Sequence, residues 1–144
     1  MEQELPETLE AVLVEGLEGA TAEQGLRHSD EIGGTLAEML CDSVEGAAEL
    51  VGTGIEHLRA FTEILPEGLQ PLAEGMISAL EVLRDGLATG AEWVRENQEL
   101  VAAACEILVV AEIAFRNPAE LVEHLLNSPE AQEAIGQLVT AVIG

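Results

Sequence analysis

The sequence contains no lysine, and its five basic residues are all arginine, against 28 acidic residues. Without lysine there is no side chain for a Schiff base, for the phosphate-binding loop of nucleotide-binding proteins or for a polybasic lipid-binding patch. Because neutralising nucleic-acid phosphates requires clustered basic residues, and the arginines are far apart in the chain, we expect no nucleic-acid partner. The arginines are Arg27, Arg59, Arg84, Arg95 and Arg116.

Patterns that indicate catalysis or metal binding are also missing. The two cysteines, Cys41 and Cys105, form no C-x-x-C motif and are interpreted as small buried apolar residues. The histidines are His28, His57 and His124; none lies in an H-E-x-x-H motif, and none has a glutamate three residues before it, as helical di-iron proteins do. No serine lies in a G-x-S-x-G turn. The sequence therefore predicts a protein without enzymatic activity and without a bound metal.

The sequence has neither a basic amino-terminal leader nor an uncharged run of the roughly 18 residues that cross a bilayer. Its first ten residues carry four glutamates, and its most apolar stretch, Leu100 to Phe115, is interrupted by Glu106 and Glu112. We therefore expect a soluble, cytoplasmic protein that does not insert into membranes.

Apolar residues are abundant enough for a folded core, at 48% of the chain, although the net charge is -23. The acid is almost all glutamate, which favours helices, so the charge is interpreted as a solubilising coat on helix faces. Adaptation to high salt is a second explanation. The length of 144 residues predicts a single domain over residues 1–144.

Apolar residues recur at steps of three and four, which predicts an all-α fold. We expect a compact bundle of about five to seven helices with a central helical hairpin. The first helix should run from Pro6 to Gly16 or Gly19. A capping box at Thr21 and Gln24 should start the next segment, which could be one helix or two up to Gly33.

The predicted hairpin turns at Pro66-Glu67-Gly68, and Pro71 lies in the first turn of the second arm. Whether Gly52 and Gly54 interrupt the first arm is left open, as is whether the second arm continues past Gly90 to Phe115. The apolar stripe leading through the first arm comprises Leu36, Leu40, Val44, Ala47, Val51, Ile55, Leu58 and Leu65. Asn117-Pro118 and Ser128-Pro129 predict the starts of two short final helices.

The chain has 14 glycines, and several lie inside predicted helices, where each costs about 1 kcal/mol relative to alanine. Gly46, Gly75, Gly86 and Gly90 are examples without an obvious turn. Such residues allow helices to approach closely or leave a cavity between them. We favour close packing.

His57 is the candidate ligand-binding residue, with Gly54 and Phe61 beside it at helical spacing. Small and apolar neighbours could leave room for a flat ligand, and the sharpest hypothesis is a haem or related porphyrin bound by His57. A histidine at the edge of the core is the simpler interpretation. Glu106 and Glu112 cannot share a helix face, and Glu112 should pair with Arg116.

The stretch from Asn117 to Ile135, with its proline-started helices, resembles the helix-loop-helix style of computationally designed helical bundles. This resemblance implies a scaffold, a soluble imitation of a natural helical topology, or a pocket for an apolar ligand.

Our leading functional hypothesis is a non-enzymatic scaffold or interaction protein with no cofactor. The alternatives are a binder of an apolar small molecule or porphyrin, and an acidic module for a basic protein partner.

Overall fold

The structure is a computed structural model that describes residues 9–144, and over these residues it is entirely helical. Nine α-helices pack into a compact bundle in this part of the chain. They are α1 (Leu9–Leu17), α2 (Ala22–Arg27), α3 (Ser29–Met39), α4 (Val44–Ile64), α5 (Gln70–Thr89), α6 (Ala91–Glu96), α7 (Gln98–Arg116), α8 (Pro118–Asn127) and α9 (Pro129–Ile143). Single 3-10 turns at Leu40–Asp42 and Glu67–Leu69 precede α4 and α5.

The first predicted helix is present as α1, although its predicted start at Pro6 lies outside the described residues. Its buried residues are Leu9, Val12, Leu13 and Leu17. Gly19, with a φ of +75°, follows the helix in the left-handed region that favours glycine. The chain can therefore turn sharply between α1 and α2.

The segment from Thr21 to Gly33 belongs to two helices, α2 and α3, joined at His28. The predicted capping box is confirmed, because the Gln24 N–H donates to Thr21 Oγ1 (3.1 Å) and the Thr21 N–H donates to Gln24 Oε1 (3.0 Å). This reciprocal pair satisfies two N–H groups that the helix itself leaves free.

The central hairpin is confirmed as α4 and α5, which contact each other extensively. Gly52 and Gly54 do not interrupt α4, which is continuous through both. The first arm ends at Ile64, before Pro66, and Pro71 lies in the first turn of α5, as predicted.

The second arm does not continue to Phe115. It ends at Gly90, whose φ of +124° is incompatible with a helix, and the chain breaks again at Asn97 before α7 begins. These breaks and the split at His28 are why the described residues form more helices than the five to seven expected. Gly90 allows Trp93 to fold back onto Gly86.

Helix α7 occupies the centre of the bundle and contacts α2, α3, α4, α5 and α9. Its residues are buried on almost every side, which agrees with its nearly uninterrupted apolar sequence. The final helices begin at Pro118 and Pro129, and the Ala131 N–H donates to Ser128 Oγ at 3.2 Å. Asn117 does not cap α8 with its side chain; its amide instead donates to the carbonyl of Ala20 at 3.3 Å.

Six helical glycines lie where another helix approaches closely. A Cβ on any of five of them would lie 2.8–3.1 Å from atoms of another helix, closer than ordinary contact. The pairs are Gly16 with Ile32, Gly25 with Ile113, Gly33 with Glu106, Gly54 with Leu108, and Gly75 with Val139. Close packing, the favoured explanation, is therefore confirmed at Gly75 and at Gly86, which packs against Trp93 of α6, and it extends to positions that the sequence had not singled out. Gly46 has no such neighbour.

Within residues 9–144, no helix combines the length and apolar character needed to cross a membrane.

Candidate functional site

A surface groove of about 530 Å³ lies beside His57, between α4, the start of α1 and the end of α7. We call it the His57 groove. Its apolar walls are Leu9, Leu50 and Phe115, and its acidic residues are Glu10, Glu49 and Glu112. The groove therefore combines an apolar surface with carboxylates.

The His57 and Phe115 rings form a parallel stack across α4 and α7. Their centroids are 4.1 Å apart and their planes differ by 11°. Phe115 nevertheless keeps 60% of its surface exposed, whereas Phe61 is buried. An aromatic side chain with one ring face held by a neighbour and much of its surface in solvent is pre-positioned for contact with a ligand or partner.

His57 Nδ1 is buried and has no hydrogen-bond partner within residues 9–144. Buried polar atoms are normally satisfied, so this nitrogen is an exception among the described residues. His57 as a whole is half-buried, which agrees with the predicted location at the edge of the core.

The other two candidate residues do not line the His57 groove. Gly54 packs towards α7 and α5, where an added Cβ would lie 2.9 Å from Leu108 Cδ2 and 3.4 Å from Leu80 Cδ1. Phe61 is 2% exposed and belongs to the hydrophobic core. Helical spacing brings both residues near His57 in sequence projection, but they lie on the side of α4 that faces the interior.

The charges of the groove are incompletely paired. Arg116 Nε donates to Glu112 Oε2 at 2.9 Å, which confirms the predicted pair. Glu10 and Glu49 have no ion-pair partner among residues 9–144. The groove is consequently electronegative and favours a cationic group.

Glu106 lies on a different face of α7 from Glu112, as the spacing of six residues predicted. It is half-buried beside α3, and burial, followed by the nearby charge of Asp30, raises its pKa. Burial, followed by the charge of Glu106, also raises the pKa of Cys105 to about 12. Cys105 is therefore a protonated core thiol and no nucleophile at neutral pH.

The remaining cysteine and the other two histidines are enclosed by the fold to different degrees. Cys41 is half-buried, so it is less enclosed than expected, with Sγ 4.0 Å from the carbonyl of Ala91. His28 joins α2 to α3. His124 is half-buried because α8 turns it towards a cleft between α2 and α9.

Sequence reasoning missed Phe115 as a site residue. It ends a stretch that is apolar on all sides, so its spacing did not distinguish it from the core residues before it. Only the end of α7 at Arg116, where the surrounding helices leave one side open, exposes the ring.

Comparison of the chain with protein-family models, curated proteins and solved structures gives no match. Among residues 9–144, no group of three or more His, Cys, Asp or Glu side chains is arranged to hold a metal ion.

Proposed function

We propose that this chain is a non-enzymatic interaction protein that binds a basic, partly apolar segment of another protein in the His57 groove. The observation that carries the proposal is the exposed Phe115 ring, stacked on His57 at the edge of an acidic groove. Aromatic residues are enriched among the side chains that contribute most to binding at interfaces.

Phe115 offers both kinds of contact that an arginine or lysine side chain uses. The ring face can contact the cation, and the ring edge can cover its aliphatic stem. The carboxylates of Glu10 and Glu49, which have no ion-pair partner among residues 9–144, supply the opposite charge around it. The net charge of -23 adds a long-range field that increases the rate of encounter with a basic partner.

The test is the affinity of a short fluorescein-labelled peptide in which arginine and leucine alternate, measured by anisotropy at physiological ionic strength. Phe115→Ala should weaken binding about tenfold or more, as expected for a central aromatic contact. Leu126→Ala is the matched control, because Leu126 is also exposed, at 53%, and does not line the groove. It should leave the affinity unchanged.

Equal affinity of the two variants would refute the groove as the binding site and indicate diffuse attraction to the acidic surface. Glu49→Gln tests the charge contribution separately. It should weaken binding at low salt and have a smaller effect at high salt, because exposed charge contacts are screened.

A second candidate is an apolar small molecule or porphyrin in the same groove. The imidazole of His57, which lines the groove and stacks on Phe115, favours it. Titration with haemin should give an absorption band that His57→Ala abolishes and His28→Ala retains, since His28 is exposed at a helix junction. A band that survives in His57→Ala would reject this candidate. If neither peptide nor haemin binds, a scaffold without a ligand is the hypothesis that stands.

A further inference from the structure

A second cleft, of about 600 Å³, lies on the opposite side of α7 from the His57 groove. We call it the Glu106 cleft. The α2–α3 junction, α7 and α9 form it, and α8 lies at its edge. Its apolar walls are Leu26, Val110, Ile135 and Leu138. It is therefore a concave and mainly apolar site, separate from the proposed peptide-binding groove.

Polar residues also line the cleft, and among them the carboxylate of Glu106 lies on the central helix α7, next to Val110. Its stem is held where α3 crosses α7, since a Cβ on Gly33 would lie 2.9 Å from Glu106 Cγ and 2.9 Å from Glu106 N. Within residues 9–144 the carboxylate has no hydrogen-bond or ion-pair partner. A partly desolvated carboxylate without a partner is energetically unfavourable, and a bound cation would relieve that cost.

No cation from residues 9–144 pairs with this carboxylate. Arg27 lines the cleft, but its Nη2 lies 2.9 Å from Glu23 Oε2 in an exposed pair one turn apart on α2. The other arginines do not line the cleft. Within the part of the chain that the structure describes, Glu106 is thus available to pair with a bound cation.

The charges that face Glu106 determine the sign of the ligand. Asp30 on α3 and Glu130 on α9 are acidic, and Glu23 on α2 is neutralised by Arg27. His124 on α8 lies at the edge of the cleft. Carboxylates therefore outnumber cations around the cleft, which excludes an anionic ligand and favours a cationic one.

We propose that the Glu106 cleft binds a small organic cation with an apolar body, such as a primary alkylamine. The ammonium group pairs with Glu106, and the alkyl chain lies against Leu26, Ile135 and Leu138. The ionic contact supplies orientation, and burial of the chain supplies about 25 cal/mol for each Å² of apolar surface removed from water.

The test is calorimetric titration with hexylammonium, with 1-hexanol as a probe of the same shape without the charge. Hexylammonium should bind at least tenfold more tightly than hexanol, because a charged contact in a partly desolvated site is worth more than one in water. Similar affinities of the two probes would overturn the proposal.

Glu106→Gln should weaken hexylammonium binding by about tenfold or more. The same change at Glu96, an exposed residue of α6, should not weaken it. Both variants change the net charge equally, so equal loss would indicate diffuse attraction and refute the site. Ala134→Leu fills the mouth of the cleft from its exposed wall and should abolish binding while leaving the helical circular dichroism spectrum unchanged. Binding that survives in Ala134→Leu also refutes the site.

Proton release distinguishes a direct contact from a structural effect. Because the pKa of Glu106 is raised in the free protein, binding of a cation should lower it and release protons as pH falls towards that pKa. Titrations in two buffers with different ionisation enthalpies measure this release. Glu106→Gln should eliminate it, and release that persists unchanged in this variant would show that another group pairs with the ligand.

Discussion

At the residue scale, adjacent glycines in α3 have opposite surroundings. Gly33 lies against the backbone of α7, where an added Cβ would come within 2.9 Å of Glu106 N and 3.1 Å of Glu106 Cα. Gly34 has no atom within 4 Å of the same position. Gly33 is thus required by the crossing of two helices, whereas Gly34 only lowers the helix propensity of α3.

Gly33→Ala should destabilise the fold by about 1–3 kcal/mol, because backbone atoms cannot move aside as a flexible side chain can. Gly34→Ala should stabilise it by about 0.5–1 kcal/mol through helix propensity. Urea unfolding followed by circular dichroism measures both. A shift of both midpoints in the same direction would show that α3 and α7 do not cross as closely as described.

Glu106 should make stability depend on pH. Its pKa is raised from the ordinary 4.5, so the folded chain binds this proton more tightly than the unfolded chain. Its effect is absent at pH values below the ordinary pKa, and it destabilises the fold as pH rises through the raised value. Glu106→Gln should therefore gain stability relative to the wild type at pH 7 but not at pH 4. Glu96→Gln controls for the lost charge; an equal gain from both variants at pH 7 would contradict the prediction.

At the scale of elements, Gly90 decides where α5 ends. Its φ of +124° places it in a region that other residues rarely adopt, and α6 begins directly after it. Gly90 and Gly136 in α9 both have open space around a would-be Cβ. They differ in backbone conformation, which makes them a matched pair.

Gly90→Ala should lower the free energy of unfolding by about 1–3 kcal/mol from backbone strain, although no atom blocks the methyl group. Gly136→Ala should raise it by about 0.5–1 kcal/mol, since Gly136 is helical. Trp93 is the single tryptophan and packs on Gly86, so its fluorescence reports the α5–α6 turn during urea unfolding. If Gly90→Ala is as stable as the wild type, then α5 does not end in the positive-φ conformation described for Gly90.

At the scale of the whole molecule, the imbalance between 28 acidic and five basic residues should oppose folding through self-repulsion. Four ion pairs are formed within residues 9–144, one involving a histidine, and they neutralise few of these charges. Most glutamates are consequently uncompensated on the surface.

Added sodium chloride should therefore raise the urea midpoint, because the screening length falls from about 30 Å at 0.01 M to about 3 Å at 1 M. Replacing the exposed Glu56, Glu63 and Glu99 with glutamine should reduce this gain, since less repulsion remains to be screened. A gain of the same size in the triple variant would attribute the salt effect to stronger burial of apolar surface instead.

The sequence by itself determined the helical class, the caps and the hairpin, because these depend on local spacing and on backbone chemistry. Thr21 with Gln24, the break before Pro66 and the start at Ser128-Pro129 all act within a few residues, and each is formed as predicted. The burial of α7 likewise agrees with its apolar composition.

Only the tertiary structure decided which residues share a surface. Gly54 and Phe61 neighbour His57 along α4 but face the interior, whereas Phe115, far away in sequence, stacks on its ring. Glu106 likewise became a candidate site through the helices that converge on it. The excess of acidic residues is evident from the composition. Which carboxylates lie beside apolar walls depends on how the helices cross, and the spacing within one helix does not encode these crossings.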